Sequence, residues 1–363
     1  MTEPETAVDT TALESVLSAA LEVSVTGVEP LGDGLNLVLA ISTASQGQYL
    51  LRRANPPRET ICVNDVETEF EILRRLEPTR IPAPKPVLFS ADESVVGGPF
   101  FVATHLDGET VPLGSDLPER FQTEAARARV ADELVATLAD VHAVDTEPFD
   151  GVCERYTPRE LVERAVGQLD DATRVTGRDL PRLRAVGDWL LNHAPAPAEA
   201  TLVHGDFRPG NVLFAEAADP HITGVLDWET AMLGDPLVEL GYLLLRWRDA
   251  GDARPSLDGL EARYDDADAL ADIRRRNERG LAPFTAAPGS PTRREVVAQY
   301  EHRTGRTYEH DRFYRGYAAF VLAVVWEDLY RHRLAAGGAA DGEPYVEYMS
   351  LFAEHIVDGR FDL

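Results

Sequence analysis

A chain of 363 residues is longer than one ordinary compact core fills, so two lobes are the natural expectation. Its 62 acidic side chains against 35 basic ones leave a formal net charge of −27, which excludes nucleic-acid backbones and anionic membrane surfaces as partners. Hydrophobic residues make up 44% of the chain, enough for a core, yet no apolar run approaches the length that spans a bilayer. The basic residues are almost all arginine, with Lys85 the only lysine. An acidic, lysine-poor surface suits a protein kept soluble in concentrated salt, where screening shortens charge repulsion to about 3 Å at 1 M, so a halophilic source is expected. Cys62 and Cys153 are too few to staple such a chain and lack metal-ligand spacing, and the acidic N-terminal stretch carries no secretion signal, which together predict a cytoplasmic setting.

In chain order, residues 10–21 have helical spacing, and 24–31 turn to extended residues ahead of PLGDGLNLVLAIST. That segment reads as strand, turn and strand, with Gly32 and Gly34 at the bend, and QYLLRRANPP continues as a strand stopped by Pro56 and Pro57. NDVETEFEILRRL places Val66, Phe70, Leu73 and Leu76 on one helical face. A proline-rich link, IPAPKPVLF, leads into extended runs around Val95 and over 100–106. After Asp107-Gly108 the texture changes: residues 117–142, 157–169 and 179–193 read as amphipathic helices. Short strands and a turn in TLVHGDFRPGNVLF and HITGVLDWETAML interrupt them, and helices resume at Leu237. Residues 249–259 and 282–292 read as loops flanking a charged helix over 266–279, and aromatic-rich helices are predicted over 311–335 and 345–357. The shift in composition divides the chain into 1–106 and 107–363.

The densest chemistry lies in VHGDFRPGNVLF, residues 203–214, where a carboxylate at Asp206 and a carboxamide at Asn211 stand five positions apart in a turn between apolar runs. A further short strand ends at Asp227. Three such oxygen groups brought together suit a hard cation such as Mg²⁺, which leaves positions for phosphate and water, and phosphoryl transfer needs that cation plus a carboxylate to receive the acceptor's proton. Taken alone the loop is ordinary turn chemistry, since Gly, Pro, Asp and Asn favour turns for their own reasons.

HGDFRPGN resembles the catalytic loop shared by protein kinases and the aminoglycoside phosphotransferase and choline kinase group, and the Gly at 205 points to the small-molecule side of that superfamily. The likeness extends in order through LGDGLNLVLAI, QYLLRR, ETEFEILRRL, PFFVATHLDG and LADVHAVD to DWETAMLGDPLVELGYLL. It implies a bilobal protein-kinase-like α+β fold, with an antiparallel N-terminal sheet carrying one main helix and a mostly helical C-terminal lobe. It implies ATP or GTP and Mg²⁺ as cofactors and the hydroxyl of a small molecule as acceptor. On this resemblance Asp206 is the catalytic base, Arg208 lies near the transferred phosphoryl group, and Asn211 and Asp227 hold the metal. Gly32, Gly34 and Asn36 cover the nucleotide, Arg52 pairs its phosphates with Glu69 as partner, and Ala103 and His105 lie at the lobe-connecting hinge beside it.

The pattern departs in two places: arginine stands where the family usually has lysine, with Arg53 as the alternative to Arg52, and the Gly-rich turn is short, so a side chain at Asn36 or a neighbour is expected to supplement its backbone contacts. Glu67 and Glu71 show that an acidic residue on that helix needs no special role, so Glu69 is singled out by its place in ETEFEIL alone. RRANPP with the later DWETAMLGDPLVELGYLL looks closest to the general phosphotransferase branch that includes kinase-like domains fused to some acyl-CoA dehydrogenases. Hydroxyacyl acceptors therefore stand beside aminoglycosides. The first calls for arginines and an apolar channel, the second for a carboxylate-lined site. The competing readings are a catalytically weak nucleotide-binding regulatory protein with the same fold and a metal-dependent hydrolase.

Overall fold

The computed structural model describes residues 10–33, 36–44, 47–55, 63–335, 337, 342–361 and 363. Gly34, Pro56, Pro57 and Cys62 lie outside them. Helix α1 (Thr10–Leu21) precedes a five-stranded antiparallel sheet of β1 (Val25–Asp33), β2 (Asn36–Thr43), β3 (Gln48–Ala54), β4 (Pro86–Ser90) and β5 (Phe100–Thr104), in the order β1-β2-β3-β5-β4. Alternation along the strands decides what each face carries. Leu37, Leu39 and Ile41 of β2 and Tyr49, Leu51 and Arg53 of β3 are buried on one face, so Arg52 is turned to the other.

Between β3 and β4 lies α2 (Val66–Leu76), started by the side chain of Asp65 accepting from the Thr68 amide at 2.7 Å. Its buried stripe is Val66, Glu69, Ile72, Leu73 and Leu76, which places one carboxylate among apolar neighbours while Glu67 is exposed. The extended run expected around Val95 is instead a single helical turn, α3 (Glu93–Val96), with Asp92 capping its start and Gly97 closing it at φ 80°. The strand that fills the edge of the sheet is the one inside the proline-rich link, β4, where an edge position tolerates Pro86. Gly32 also departs from expectation: it lies within β1 opposite Val38, beyond an irregularity between Pro30 and Gly32, not in the bend.

The remainder is mainly helical, with α4 (Glu124–His142), α5 (Pro158–Thr176) and α6 (Pro181–His193) first in the chain. Three short strands, β6 (Arg155–Tyr156), β7 (Thr201–Val203) and β10 (Met232–Gly234), form one small sheet, and β8 (Val212–Phe214) pairs with β9 (Ile222–Val225) as a hairpin. Helices α7 (Pro236–Leu245), α8 (Asp258–Arg263), α9 (Ala267–Arg279), α10 (Arg293–Thr304), α11 (Asp311–Ala335) and α12 (Glu343–Val357) follow. The sequence reading leaves α10 unassigned, although Thr292 and Glu295 form a reciprocal capping box at its start. Gly241 lets α7 and α11 approach closely: a Cβ there would stand 2.6 Å from that of Tyr314.

One apolar cluster joins α1 to the outer face of the sheet, through residues such as Leu13, Leu39, Leu51 and Val102. A second, larger one takes in α2 and runs on through the helical region to Phe361. Among the described residues no helix is long and apolar enough to cross a membrane.

Candidate active site

The loop from β7 to β8 is shaped by a buried carboxylate behind it. Glu239 of α7 accepts the amide of Gly205 at 2.7 Å and that of His204 at 3.1 Å, and its Oε2 lies 3.0 Å from Nε2 of His142. Burial alone would raise the Glu239 carboxyl, but the hydrogen bond with His142 and that from the His204 amide outweigh it and hold it below the usual range. Gly205 has φ +87°, and a Cβ there would run into the Thr230 carbonyl, so only glycine fits this turn. His204 is fully buried: Nδ1 accepts the Asp206 amide at 3.2 Å, which leaves Nε2 to donate to the Leu226 carbonyl at 2.8 Å. Its work is structural, tying the loop to the segment that carries Asp227.

Asp206 emerges from this frame with both carboxylate oxygens engaged. Arg208 Nε faces them at 3.2 and 3.1 Å, Asn211 Nδ2 donates to Oδ2 at 2.7 Å, and the Tyr242 hydroxyl donates to Oδ1. Burial works to raise this carboxyl, yet Arg208 and Arg246, with the Tyr242 hydroxyl, hold it below the ordinary carboxylate range. It is therefore ionised at neutral pH and able to receive a proton. Asn211 also donates to the Asp206 carbonyl at 3.0 Å, so its two N–H groups are spent on Asp206 and its Oδ1 is the atom left to meet a cation.

Facing this loop is a second cluster centred on Arg52. Its Nε lies 3.1 Å from Glu69 Oε2, its Nη2 lies 2.7 Å from Asp227 Oδ1, and Nη2 also contacts Glu229 Oε2. Burial opposes the Arg52 charge, but Glu69 and Asp227 more than compensate and keep it firmly protonated. Arg53, on the opposite face of β3, bonds the Val96 carbonyl and Asn55 instead, so Arg52 is the one that reaches the site. Asn36 Nδ2 donates to Glu229 Oε2 at 3.1 Å, bringing the end of the β1–β2 hairpin to the same cluster. Asp227 has φ 67° and ψ 62°, a left-handed backbone that few non-glycine residues adopt, at the junction where β9 gives way to the Trp228–Thr230 turn.

Among the described residues no group of three or more His, Cys, Asp or Glu is arranged to hold a metal. The donor set is one carboxylate, Asp227, and one carboxamide oxygen, Asn211. Hard oxygen donors in that small number fit Mg²⁺, which keeps several waters and takes substrate phosphates as further ligands.

Asp206, Arg208, Asp227 and Tyr242 line one part of a cavity of about 370 Å³. The rest of its wall is largely apolar. Helix α11 contributes Tyr317, Ala318, Val321, Leu322, Val325 and Trp326, spaced i, i+1, i+4, i+5, i+8 and i+9 on a single face over about 13 Å of helix. Leu161, Met232 and Val238 add to it, and Arg246 is the second cation in its lining.

The structure thus brings Asp206, Arg208, Asn211, Asp227, Arg52, Glu69 and Asn36 together. Ala103, buried in β5, and His105, whose amide donates to the Gln48 carbonyl at 3.0 Å, lie where β5 leaves the sheet. Gly32 is exposed in β1. Sequence reasoning missed Tyr242. Its segment, PLVELGYLLLR, reads as an ordinary core helix, and a tyrosine in an apolar run gives no sign of what its hydroxyl meets.

The pattern of the family described as "Phosphotransferase enzyme family" matches residues 27–278. Human acyl-CoA dehydrogenase family member 11 is 29% identical over 202 residues, which is 54% of this chain and 25% of that protein. The chicken counterpart is 31% identical over 205 residues, 53% of this chain and 24% of that one. The chain thus spans about a quarter of the length of these curated relatives. Among solved structures, a candidate aminoglycoside phosphotransferase from Ralstonia eutropha shares the fold with TM-score 0.69 at 23% identity, covering 96% of this chain and 98% of that one. An aminoglycoside phosphotransferase in ternary complex with ADP and hygromycin B superimposes with TM-score 0.59 at 16% identity, over 96% and 99%. Choline kinase from Streptococcus pneumoniae does so with TM-score 0.57 at 13% identity, over 95% and 98%.

Proposed function

Because the chain belongs to the phosphotransferase enzyme family, we propose that it transfers the terminal phosphate of ATP or GTP to the hydroxyl of a small acceptor with an apolar body, a hydroxyacyl compound in preference to an aminoglycoside. The observation that carries this reading is the position of Asp206, an ionised carboxylate in the wall of a cavity whose lining also includes the apolar face of α11. A polyamine would want carboxylates along that face. Those in the lining are Asp206, Asp227, Glu229 and Glu239, all engaged in the loop and the Arg52 cluster.

In this reading residues 1–106 form the nucleotide lobe and 107–363 the catalytic and acceptor lobe. Asp206 accepts the proton of the acceptor hydroxyl as its oxygen attacks the terminal phosphorus in line with the departing nucleoside diphosphate. Arg208 offers a planar donor to the transferring group, and Arg52, held by Glu69, meets the phosphates that remain. Asn36 and Gly32 lie on the nucleotide side, with Ala103 and His105 beside the base; Gly34, assigned there by the sequence, is outside the described residues. Asn211 Oδ1 and the Asp227 carboxylate would hold Mg²⁺, which supplies positive charge to the phosphate oxygens. The complexes of related folds with ADP, GDP and AMP-PNP support a purine nucleotide as donor.

The test measures ADP or GDP release over hydroxyacids, hydroxyacyl thioesters and aminoglycosides, with wild type and Asp206→Asn side by side. Hydroxyacyl acceptors are expected to turn over, and the variant to lose on the order of 10³-fold in kcat with nucleotide binding intact. Equal, slow rates in both proteins on every acceptor would replace this reading with that of a nucleotide-binding regulatory protein. Phosphate release without a phosphorylated acceptor would indicate a hydrolase.

A further inference from the structure

Arg246, the residue that closes α7, is a buried cation with an unusual environment. It is 3% exposed, its Nε has no hydrogen-bond partner, and among the described residues no carboxylate comes within ion-pair distance of it. In a chain with 27 more acidic than basic side chains, a buried guanidinium without such a partner calls for an account, because taking the charge out of water is expensive. What it touches is Tyr242. The guanidinium carbon sits 3.9 Å from the centre of the Tyr242 ring, and Nη1 donates to the Tyr242 carbonyl at 2.9 Å. A cation on the face of a phenol withdraws electron density from it and strengthens its hydroxyl as a donor. That hydroxyl donates to Asp206 Oδ1.

We propose that Tyr242, clamped on its ring face by Arg246, is the positioning residue that sets the Asp206 carboxylate against the acceptor. This rests on the reading of Asp206 as the base. A carboxylate offers about four lone-pair positions. Asn211 and Tyr242 fill one each and Arg208 Nε spans both oxygens, so the acceptor hydroxyl takes the place that Arg208 leaves when it turns to the transferring phosphoryl group. Asn211 and Arg208 belong to the same loop as Asp206 and move with it. Tyr242 alone comes from a helix, α7, whose residues also line the cavity. Its hydrogen bond therefore fixes the base relative to the wall that holds the acceptor, and not merely relative to its own loop. In the transfer step the acceptor O–H proton passes to Asp206, the acceptor oxygen bonds to the terminal phosphorus, and the bond to the bridging oxygen breaks with its electron pair leaving on the nucleoside diphosphate. Tyr242 keeps its own proton throughout, since burial and the adjacent Asp206 both resist its loss, more strongly than Arg246 favours it.

The test is a kcat against KM comparison in full-length wild type, Tyr242→Phe, Arg246→Leu and the double variant, with an acceptor that wild type phosphorylates. Tyr242→Phe is expected to lower kcat by on the order of 10- to 100-fold, as a misplaced catalytic group does. The KM values for nucleotide and acceptor should stay within about twofold, since neither is held by this hydroxyl. Arg246→Leu should lower kcat in the same direction, and the double variant should be slower than Tyr242→Phe by clearly less than the Arg246→Leu loss, because the arginine acts mainly through the ring and only in part by its own charge on Asp206. A Tyr242→Phe enzyme with wild-type or faster kcat, while Asp206→Asn is inactive, would overturn the inference and leave the kinase reading standing. An active Asp206→Asn would remove both. A double variant in which the two losses multiply would show Arg246 acting independently and overturn the clamp. A loss confined to KM or to thermal stability would assign Tyr242 a packing role only and overturn the inference as well.

Discussion

Glu239 illustrates how one side chain supports the chemistry without touching it. Its carboxylate meets two backbone amides of the 203–214 loop and the ring of His142, with Glu239, His204 and His142 buried and Gly205 partly so. Replacing it with alanine would leave two backbone N–H groups, one of them buried, and the His142 ring without their acceptor. Breaking a buried charged network in this way costs about 3–5 kcal/mol. Glu239→Ala is expected to unfold at correspondingly lower urea concentration, whereas Glu239→Gln, which keeps one acceptor oxygen, should retain more than half of the lost stability. Equal stability of both variants with wild type would show that the loop holds its shape unaided. The choice between Arg52 and Arg53 belongs here too. The sequence shows two adjacent arginines, and only the register of β3 reveals which face holds Tyr49 and Leu51; that parity puts Arg52 within 3.1 Å of Glu69 and sends Arg53 to Val96.

Helix α11 shows what an element adds to a site that its individual residues do not announce. From its sequence it is an aromatic-rich core helix, and most of it is that. Gly241 brings it close to α7, yet six of its residues also line the open space of the cavity, Trp326 among them while it meets Tyr345 of α12 edge-on. Nothing in the spacing of Tyr317, Ala318, Val321, Leu322, Val325 and Trp326 distinguishes a cavity wall from a packed seam, because both require the same apolar stripe. The same limit concealed Tyr242 on α7. By contrast, the loop 203–214, Asp227 and the Arg-bearing strand stood out in the sequence because they follow one another in the order of a known family's motifs, although the loop alone reads as turn chemistry. Placing a tryptophan at Ala318 tests the wall directly. Ala318 is buried at the cavity surface, so an indole there occupies cavity space, which the proposed function assigns to the acceptor. Ala318→Trp is expected to lower kcat/KM for long-chain hydroxyacyl acceptors by at least about tenfold, while short-chain acceptors and the nucleotide KM change little. Overpacking adds a stability loss of about 1–3 kcal/mol, to be checked by thermal melting. Unchanged kcat/KM at every chain length would mean that the acceptor lies elsewhere.

For the molecule as a whole, two electrostatic effects oppose each other as salt is added. The described structure contains many arginine–carboxylate pairs, among them Arg129 with Asp132 and Glu133, Arg274 with Glu261, and Arg279 with Asp116. Such exposed pairs contribute about 0–1 kcal/mol each and weaken on screening. Against them stands a surplus that pairing cannot remove: 62 acidic residues less 35 basic ones leaves 27 carboxylates without a basic partner even if every cation is used. Their mutual repulsion acts over the Debye length, about 8 Å at physiological ionic strength and about 3 Å at 1 M. The excess involves every part of the surface while each pair is local, so relief of repulsion should win. The melting temperature is expected to rise by about 5–10 °C between 0.1 and 2 M KCl, a gain of a few kcal/mol at about 2–4 °C per kcal/mol for a protein of this order of size. Most of the rise should come below 1 M, where screening length changes fastest. Potassium chloride is the suitable salt, because sulfate strengthens apolar burial on its own account. A melting temperature that falls with added KCl would show that the arginine pairs dominate, and the acidic surface would then need a different explanation from salt adaptation.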